Sequence, residues 1–429
     1  MSTELSRNSP ATLAVYTAAP WESAVVVLRI TGPAEFAGFE VIKGNHGPQV
    51  SSELVSDADI VVIQRDFPRF WSDYKRVIKG ARFDNKPVLY DLDDLLVEIP
   101  DEHSHSGDYI GELLAMLYAI LEADVVTASS SPLVDYLSEL NPNTKLVNNY
   151  LNDQLWAMVE PKVSESDNQK VTIGYMGGQT HQADLDEVAD TLLMLSEKYS
   201  DRVKYLFWGV QPPPELLNSP STEWIKLNQE DYTEFARFFT QQDCDILIAP
   251  LKDNEFNRSK SSLKFLEYST LGVPGVYSKL PPYEAIVEHG VNGYLASSAQ
   301  DWEKYLSELI ENPSLRFKLA VQAQQTVKDQ WLLSQKYTEW SQVYHQALSG
   351  DGIHDLQSRK HDNLMRIISQ AEDYQAGLEN SLYEVGNQLN DIINSRSWQI
   401  IKSVQNLRMK IVPKGSALEQ ILFGRDQSL

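Results

Sequence analysis

The stretch CDILIAPLKDNEFNRSKSSLKFLEYSTLGVPGVYS, residues 244–278, decides the architecture. An apolar run ends at Leu251, a polar loop follows, and the pattern predicts a helix from about Ser259 to Leu271. Gly272 closes that helix and Pro274 opens the next strand, so the segment reads as strand, loop, helix, strand. In an open α/β sheet the loop and helix start lie at the carboxyl ends of the strands, where ligands bind. A helix start offers free N–H groups and a partial positive charge. Arg258, Lys260 and Lys264 add cations there, and Lys260, Lys264 and Glu267 fall on one helical face. Cations at a helix N-terminus oppose its dipole by roughly 0.3–1 kcal/mol each, a cost that an anionic ligand offsets. A solvated face with a weak Lys264–Glu267 ion pair is the alternative, and spacing alone does not choose.

The same grammar extends in both directions. Residues 11–156 carry the strand-like runs AVVVLRI (24–30), DIVVIQRDF (59–67), KPVLYDLDDLL (86–96), ADVVTA (123–128) and KLVNNYL (145–151). Runs that are apolar at every position suit strands covered on both faces. Residues 157–170 lose that pattern and read as a linker. The series restarts with VTIGYM (171–176), VKYLFWG (203–209), CDILIAPL (244–251) and GVPGVYS (272–278), with helical stretches between them and a helical segment over 301–348. Two strand–helix series predict an α/β protein with two Rossmann-like, doubly wound domains, 11–156 and 171–348, facing each other across a cleft.

A third region, 351–429, is a helical tail. Leu364, Ile368, Ala371, Gln375, Leu378, Leu382, Val385, Leu389 and Ile392 alternate by fours and threes, a heptad seam over 364–392 that suits self-association or packing on the chain's own body. Gly377 and Gly386 weaken it by about 1 kcal/mol each. Residues 395–414 carry Arg396, Lys402, Arg408, Lys410 and Lys414 with no acid, and Trp398, Ile401, Val404, Leu407 and Ile411 fall near one face. That pattern fits a peripheral contact with an anionic membrane, with ordinary packing as the alternative.

Composition narrows the function classes. The 429 residues include 37 Lys and Arg against 60 Asp and Glu, a net charge of −23, which disfavours nucleic acid as a partner. Screening confines surface fields to roughly 8 Å, so a small anionic ligand is compatible with that charge. The single Cys244 admits no intrachain disulfide and suits a reducing compartment. MSTELSRNSP has no apolar core of a signal peptide and no run is long enough to span a bilayer, so a soluble, cytoplasmic protein is expected.

Two further motifs bear on chemistry. In VTIGYMGGQTHQADLDEV (171–188) a strand runs into Gly177–Gly178, a pair that lets backbone approach a ligand closely. The motif matches neither GxGxxG nor a Walker loop, and His181 reads either as a substrate contact or as a turn cap. Asp91, Asp93 and Asp94 end an apolar run, a cluster that suits metal binding, an aspartyl nucleophile or a helix cap. His103 and His105 follow without a third ligand at zinc spacing, so no metal site is expected. The phosphatase reading of Asp91-x-Asp93 leaves the second α/β domain unexplained.

Together these stretches resemble a GT-B-fold glycosyltransferase of the family 4 type, over roughly residues 11–348. The resemblance rests on the strand–GG loop, on KSSLKFLEYSTLGVP (260–274) and on PPYEAIVEHGVNGYL (281–295). VLYDLDDLLVEIPDEH (88–103) is similar to the aspartate-rich segment of bacterial cell-surface polysaccharide transferases, and SRSW (395–398) to a short element in their tails. The resemblance implies a retaining, metal-independent enzyme with no cofactor. It would move a sugar from a nucleotide-sugar donor in the C-terminal domain to a glycan or lipid-linked acceptor in the N-terminal domain. The donor set it implies is Gly177, Gly178, His181, Arg258, Ser259, Lys260, Ser261, Lys264 and Glu267; the catalytic set is Lys264 and Glu267 with Asp93, Asp94 or His103 at the acceptor. Glu267 matches the second glutamate of the family's Glu-x7-Glu pattern, while Ser259 stands where the first belongs. The Arg and Lys usual after the GG loop are missing from QTHQADL; charge and helix geometry, rather than the resemblance, suggest Lys260 and Lys264 as the diphosphate cations, and Asn148–Asn149 replaces the usual Pro-Asn before the linker. Ser259 also keeps open a non-catalytic GT-B relative that acts through its helical tail.

Overall fold

The computed structural model describes residues 10–100, 103, 111–162, 170–227, 231–350 and 360–411. The first sheet begins with β1 (Thr12–Thr17) and β2 (Glu40–Lys43); a small hairpin, β3 (Asn45–His46) and β4 (Gln49–Val50), stands apart from it. β5 (Ile60–Gln64), β6 (Val88–Leu92), β7 (Val125–Ala128) and β8 (Thr144–Leu146) complete it. All of its pairings are parallel, in the order β2-β1-β5-β6-β7-β8. The second sheet uses β9 (Val171–Gly177), β10 (Val203–Gly209), β11 (Thr222–Ile225), β12 (Ile246–Ala249), β13 (Gly275–Ser278) and β14 (Tyr294–Ala296). It is also parallel throughout, ordered β11-β10-β9-β12-β13-β14. Each sheet reverses its strand order once, beside β1 and beside β9, and these switch points are where a doubly wound fold leaves a crevice.

One run expected as a strand is a helix. Residues 24–30 lie in a helical stretch made of Ala24–Val26, a π turn over Val27–Thr31, and Gly32–Ala37. The first strand is instead TLAVYT, and its neighbour β2 runs parallel to it. Parallel neighbours require a crossover, and the stretch between them is the only chain available for it, so tertiary connectivity overrides the β-branched composition. The helix expected over 259–271 begins only at Leu263 and runs Leu263–Thr270, and a separate short helix, Glu255–Arg258, precedes it. The short one is capped by the Asn254 side chain, which accepts the Asn257 N–H at 2.8 Å.

The chain crosses between the sheets twice, and the crossings pair with each other. Leu151 donates its N–H to the Trp331 carbonyl at 2.9 Å, and Leu333 donates to the Leu151 carbonyl at 2.8 Å. After the second crossing the helix Leu333–Ser349 returns to the first sheet, although residues to 348 were expected to belong to the second domain. Its Trp340, Val343, Tyr344 and Ala347 share a core with Leu13, Val15, Ile60, Val62 and Leu89.

Arg29, in the π turn, is fully buried. Its Nη2 lies 2.7 Å from Asp91 Oδ1, Nη1 donates to the Val147 carbonyl and to Asn149 Oδ1 at 3.1 Å, and the guanidinium sits 4.6 Å from the Trp340 ring centroid. Thr127 donates its hydroxyl to the same Asp91 oxygen at 2.7 Å.

By contacts the chain divides into two compact units, residues 1–368 and 369–429. The second contains most of the helix Lys360–Asn394 and the helix Arg396–Ile411. Leu378, Leu382, Val385, Leu389 and Ile392 are exposed along the first, and Trp398, Val404, Leu407 and Ile411 along the second. No helix among the described residues is long and apolar enough to cross a membrane. Lys414, His105 and linker residues 163–169 lie outside the described residues.

Removing Arg29 strands Asp91 without its cation. Arg29→Ala is expected to lower stability by about 3–5 kcal/mol in urea unfolding. A double Arg29→Met, Asp91→Leu variant, which buries no charge, is expected to recover most of that loss.

Candidate functional site

Two loops of the second domain meet at its switch point. After β9 the chain passes Gly177 and Gly178 into a 3-10 turn, Gln179–His181. Gly177 is packed so closely that a Cβ there would lie 3.0 Å from the Tyr175 hydroxyl, whereas one at Gly178 would meet the Thr180 hydroxyl at an ordinary 3.9 Å. After β12 the chain passes Leu251 and the Glu255–Arg258 helix to reach Lys260, Ser261 and the start of the Leu263–Thr270 helix. From the first domain, Asp93 and Asp94 follow β6, Arg29 sits on the crossover helix, and Asn149 follows β8. Between them lies a cavity of about 170 Å³ lined by Arg29, Asp93, Asp94, Asn149, His181, Lys260, Ser261 and Lys264, among others. A smaller one, about 20 Å³, is lined by His103, His181, Phe256 and Lys260 with their neighbours.

The expected residues do not all converge. Lys264 is held over the Tyr175 ring, 4.6 Å from its centroid and 3.2 Å from its hydroxyl, and burial pushes its ammonium down to about 8. Lys260 lies outside the helix, stacked 4.5 Å over Phe256 and 4.0 Å from Asp94 Oδ1 across the cleft. His181 lines both cavities, and His103 packs edge-on against Phe256 with centroids 5.4 Å apart. Arg258 turns away: its side chain is 41% exposed and forks onto Asp253 at 2.6 and 2.8 Å, outside both cavities. Ser259 is buried, and its carbonyl accepts the Ser130 hydroxyl from the first domain at 2.6 Å. Glu267 is buried on the core side of its helix, where the Tyr232 hydroxyl donates to Oε1 at 2.8 Å and itself accepts the Trp156 indole N–H at 3.2 Å. Lys260, Lys264 and Glu267 therefore do not form one stripe, because the helix starts after Lys260.

Electrostatics separate the two aspartates. Burial raises the Asp93 carboxyl although Arg65 is bonded to it. Burial also works against the charge on Asp94, but Lys260 and Arg65 outweigh it and hold that carboxyl below the usual range. Arg65 itself sits at φ 49° immediately after β5, a left-handed backbone that a non-glycine residue adopts at a cost of about 1–2 kcal/mol. The aspartates thus carry cations as partners. Among the described residues no group of three His, Cys, Asp or Glu side chains is placed to hold a metal ion.

Arg29, Asp184 and Ser130 were not singled out from the sequence, and Asn149 was noted only as a departure from the family pattern. Arg29 was legible in principle, since an arginine inside AVVVLRI needs a buried partner. Asp184 lies three residues after His181 and receives its ring nitrogen at 2.8 Å. Asn149 donates to the Ser261 hydroxyl at 2.9 Å and so ties the first domain to the Lys260 loop. Ser130, the other tie across the cleft, gave no signal, because a serine before a helix reads as its cap. It is one as well, accepting the Leu133 N–H at 3.3 Å.

No protein-family model matches the sequence, and no curated protein matches it. Solved structures do match the fold. HepE of Anabaena in complex with UDP-glucose aligns with a TM-score of 0.56 at 14% identity, covering 78% of this chain and 99% of that one. Sucrose-phosphate synthase from Thermosynechococcus elongatus gives 0.57 at 12% identity, covering 79% and 100%. A glycosyltransferase from Rickettsia africae gives 0.53 at 13% identity, covering 80% and 99%. The fold is the two-domain GT-B arrangement, with C-terminal helices in addition.

Burial pushes the Glu267 carboxyl up to about 7. The folded chain then keeps a proton that the unfolded chain releases near 4.5, so this group makes stability fall as pH rises from about 4.5 to 7. Glu267→Gln is expected to gain on the parent protein by about 3 kcal/mol across that window in urea unfolding.

Proposed function

We propose that the protein is a glycosyltransferase that moves a sugar from a nucleoside-diphosphate sugar to a glycan or lipid-linked acceptor. The observation that carries this reading is the gathering of Lys260, Lys264 and the Gly177–Gly178 loop at the switch point of the second sheet, facing a cleft. The fold supports it, since HepE, which shares it, was solved with UDP-glucose. The donor diphosphate would sit against Lys260 and Lys264 in the second domain, and the acceptor would approach from the first.

As the glycosidic bond breaks, negative charge builds on the diphosphate and positive charge on the sugar. Fixed ammonium groups and backbone N–H groups stabilise the departing charge more than the ground state, which lowers the barrier. In this reading the lysines, rather than a metal, meet that charge, and the acceptor hydroxyl attacks from the leaving-group side with retention. Water exclusion between the domains protects the activated sugar. Because Ser259 is buried and lines neither cavity, the polar contacts to the donor sugar would fall to other residues of the cleft. The exposed seam over 364–392 would join copies of the chain, and the basic helix would rest on an anionic membrane.

A panel of UDP-, GDP- and dTDP-sugars tests the donor reading by thermal shift. A ligand at 100 times its Kd stabilises by about 2.7 kcal/mol, and failure of every member to bind would overturn the reading. Lys264→Ala is expected to weaken the binding ligand by about 10–100-fold with the fold intact by circular dichroism, as loss of a charge-assisted contact implies. For the tail, Leu382→Glu with Leu389→Glu is expected to reduce the number of chains per particle in sedimentation equilibrium; an unchanged number removes the seam from assembly.

A further inference from the structure

The turn after Gly178 delivers His181 to the cleft with its ring already oriented. Nδ1 lies 2.8 Å from Asp184 Oδ2. The other Asp184 oxygen accepts the Lys252 N–H at 3.0 Å and the Asn257 side-chain amide at 2.7 Å. A carboxylate with three donors is stabilised in its charged form: burial opposes that charge, yet the bonds from His181 and the Lys252 N–H hold Asp184 below the usual range. An ionised Asp184 fixes the tautomer with the proton on Nδ1, which leaves Nε2 as the acceptor nitrogen on the cavity side. There His181 shares the cavity wall with Lys260, Lys264 and Asp94.

We propose that His181 is the proton-accepting group of the cleft, neutral in the free protein and protonated from solvent when a nucleoside diphosphate group docks beside Lys260 and Lys264. This rests on the donor reading above and adds a regulated third cation to it. Besides burial, Lys264, Lys260, Asp184 and Asp94 bear on the ring, and His103 lines the smaller cavity with it. Lys264 and Lys260 oppose a further positive charge, while Asp184 favours it; Asp94, across the cleft, feels His181 but is itself shared with Lys260 and Arg65. In the free protein burial and the lysines win, and the ring is pushed down to about 4. Two phosphate charges within the cavity cancel the repulsion from the lysines, and the ring then holds its proton at Nε2 and donates it as a hydrogen bond to a phosphate oxygen. The proton returns to solvent when the diphosphate leaves. A permanent third cation would instead repel its neighbours whenever the site is empty.

Calorimetry tests this with UDP-glucose, GDP-mannose and dTDP-glucose at pH 5.5, in buffers of different ionisation enthalpy. The phosphodiester oxygens of these probes do not titrate there and Lys264 is already charged, so proton uptake reports other protein groups. The parent protein is expected to take up a substantial fraction of one proton per bound ligand and to bind about tenfold more weakly at pH 7.5 than at pH 5.5. His181→Gln is expected to take up none and to bind with little pH dependence over that range. Binding with equal uptake in both proteins overturns the inference and leaves the donor reading standing. Absence of binding by all three probes overturns the donor reading and the inference with it. Histidine ¹³Cε1 resonances of the unmutated protein, followed with and without ligand, give the same answer independently of the variant: a ring that stays neutral in the complex refutes the proposal.

Discussion

The buried contact between Arg29 and Asp91 is the constraint on which the rest of the body depends. A guanidinium taken wholly out of water is tolerated only if its donors and its charge are met. Here they are met by the end of β6, by the Val147 carbonyl and by Asn149, with Trp340 stacked on the plane. Those partners come from the crossover helix, the central strands, the exit toward the second domain and the helix that returns from it. One side chain therefore registers the pieces that define the hinge side of the first domain. The π turn is the local deviation that accompanies this placement, and π turns recur at functional sites.

That registration reaches the chemistry through Asn149. Its carbonyl oxygen accepts from Arg29 while its amide donates to Ser261, one residue after Lys260. With the Ser130–Ser259 contact, the first domain fixes both sides of Lys260 by two hydrogen bonds, beside the apolar packing of Leu28 on the second domain. The overall charge of −23 does not contradict a cationic site. Arg65 and Lys260 pair with Asp93 and Asp94 at the cleft, and beyond about 8 Å the remaining acids are screened.

Strand–helix alternation carried most of the fold into view, because strands buried on both faces must be apolar throughout. It failed where connectivity outranked composition, taking residues 24–30 as the first strand in place of β1, and it passed over β2, β11 and β14, whose short edge positions leave weak patterns. At the site, Lys260, Lys264, His181 and the glycine pair were legible as charge and flexibility at the carboxyl ends of strands, and they line the cleft or adjoin it. Arg258 and Glu267 illustrate the limit. Spacing puts both on the correct segment, but the break after Arg258 and the start of the helix at Leu263 rotate one to solvent and the other into the core. A loop of four residues, Ser259–Ser262, sets that rotation, and no periodicity runs through it.

The size of the cavity bears on how the proposed donor would enter. About 170 Å³ is less than the roughly 300–1,000 Å³ of sites that hold a ligand of drug size. A nucleotide sugar bound in the proposed way would extend beyond this cavity, and it would be better accommodated with the domains further apart. The two crossings pair through Leu151 and Leu332–Leu333, so the hinge consists of one short backbone bridge. Opening must break the polar contacts Ser130 to Ser259, Asn149 to Ser261, Lys260 to Asp94, and the Glu22 carbonyl to the Tyr232 N–H, and it must also withdraw Leu28, with Ala24 and Val27, from the apolar core of the second domain. Each polar contact exchanges for water at a net cost of about 1 kcal/mol, and exposing Leu28 adds about 1.5–3 kcal/mol. Asp94 then has a second consequence. It pairs with Lys260 as the domains stand, and a diphosphate bound in the proposed way would take that place and leave Asp94 with Arg65.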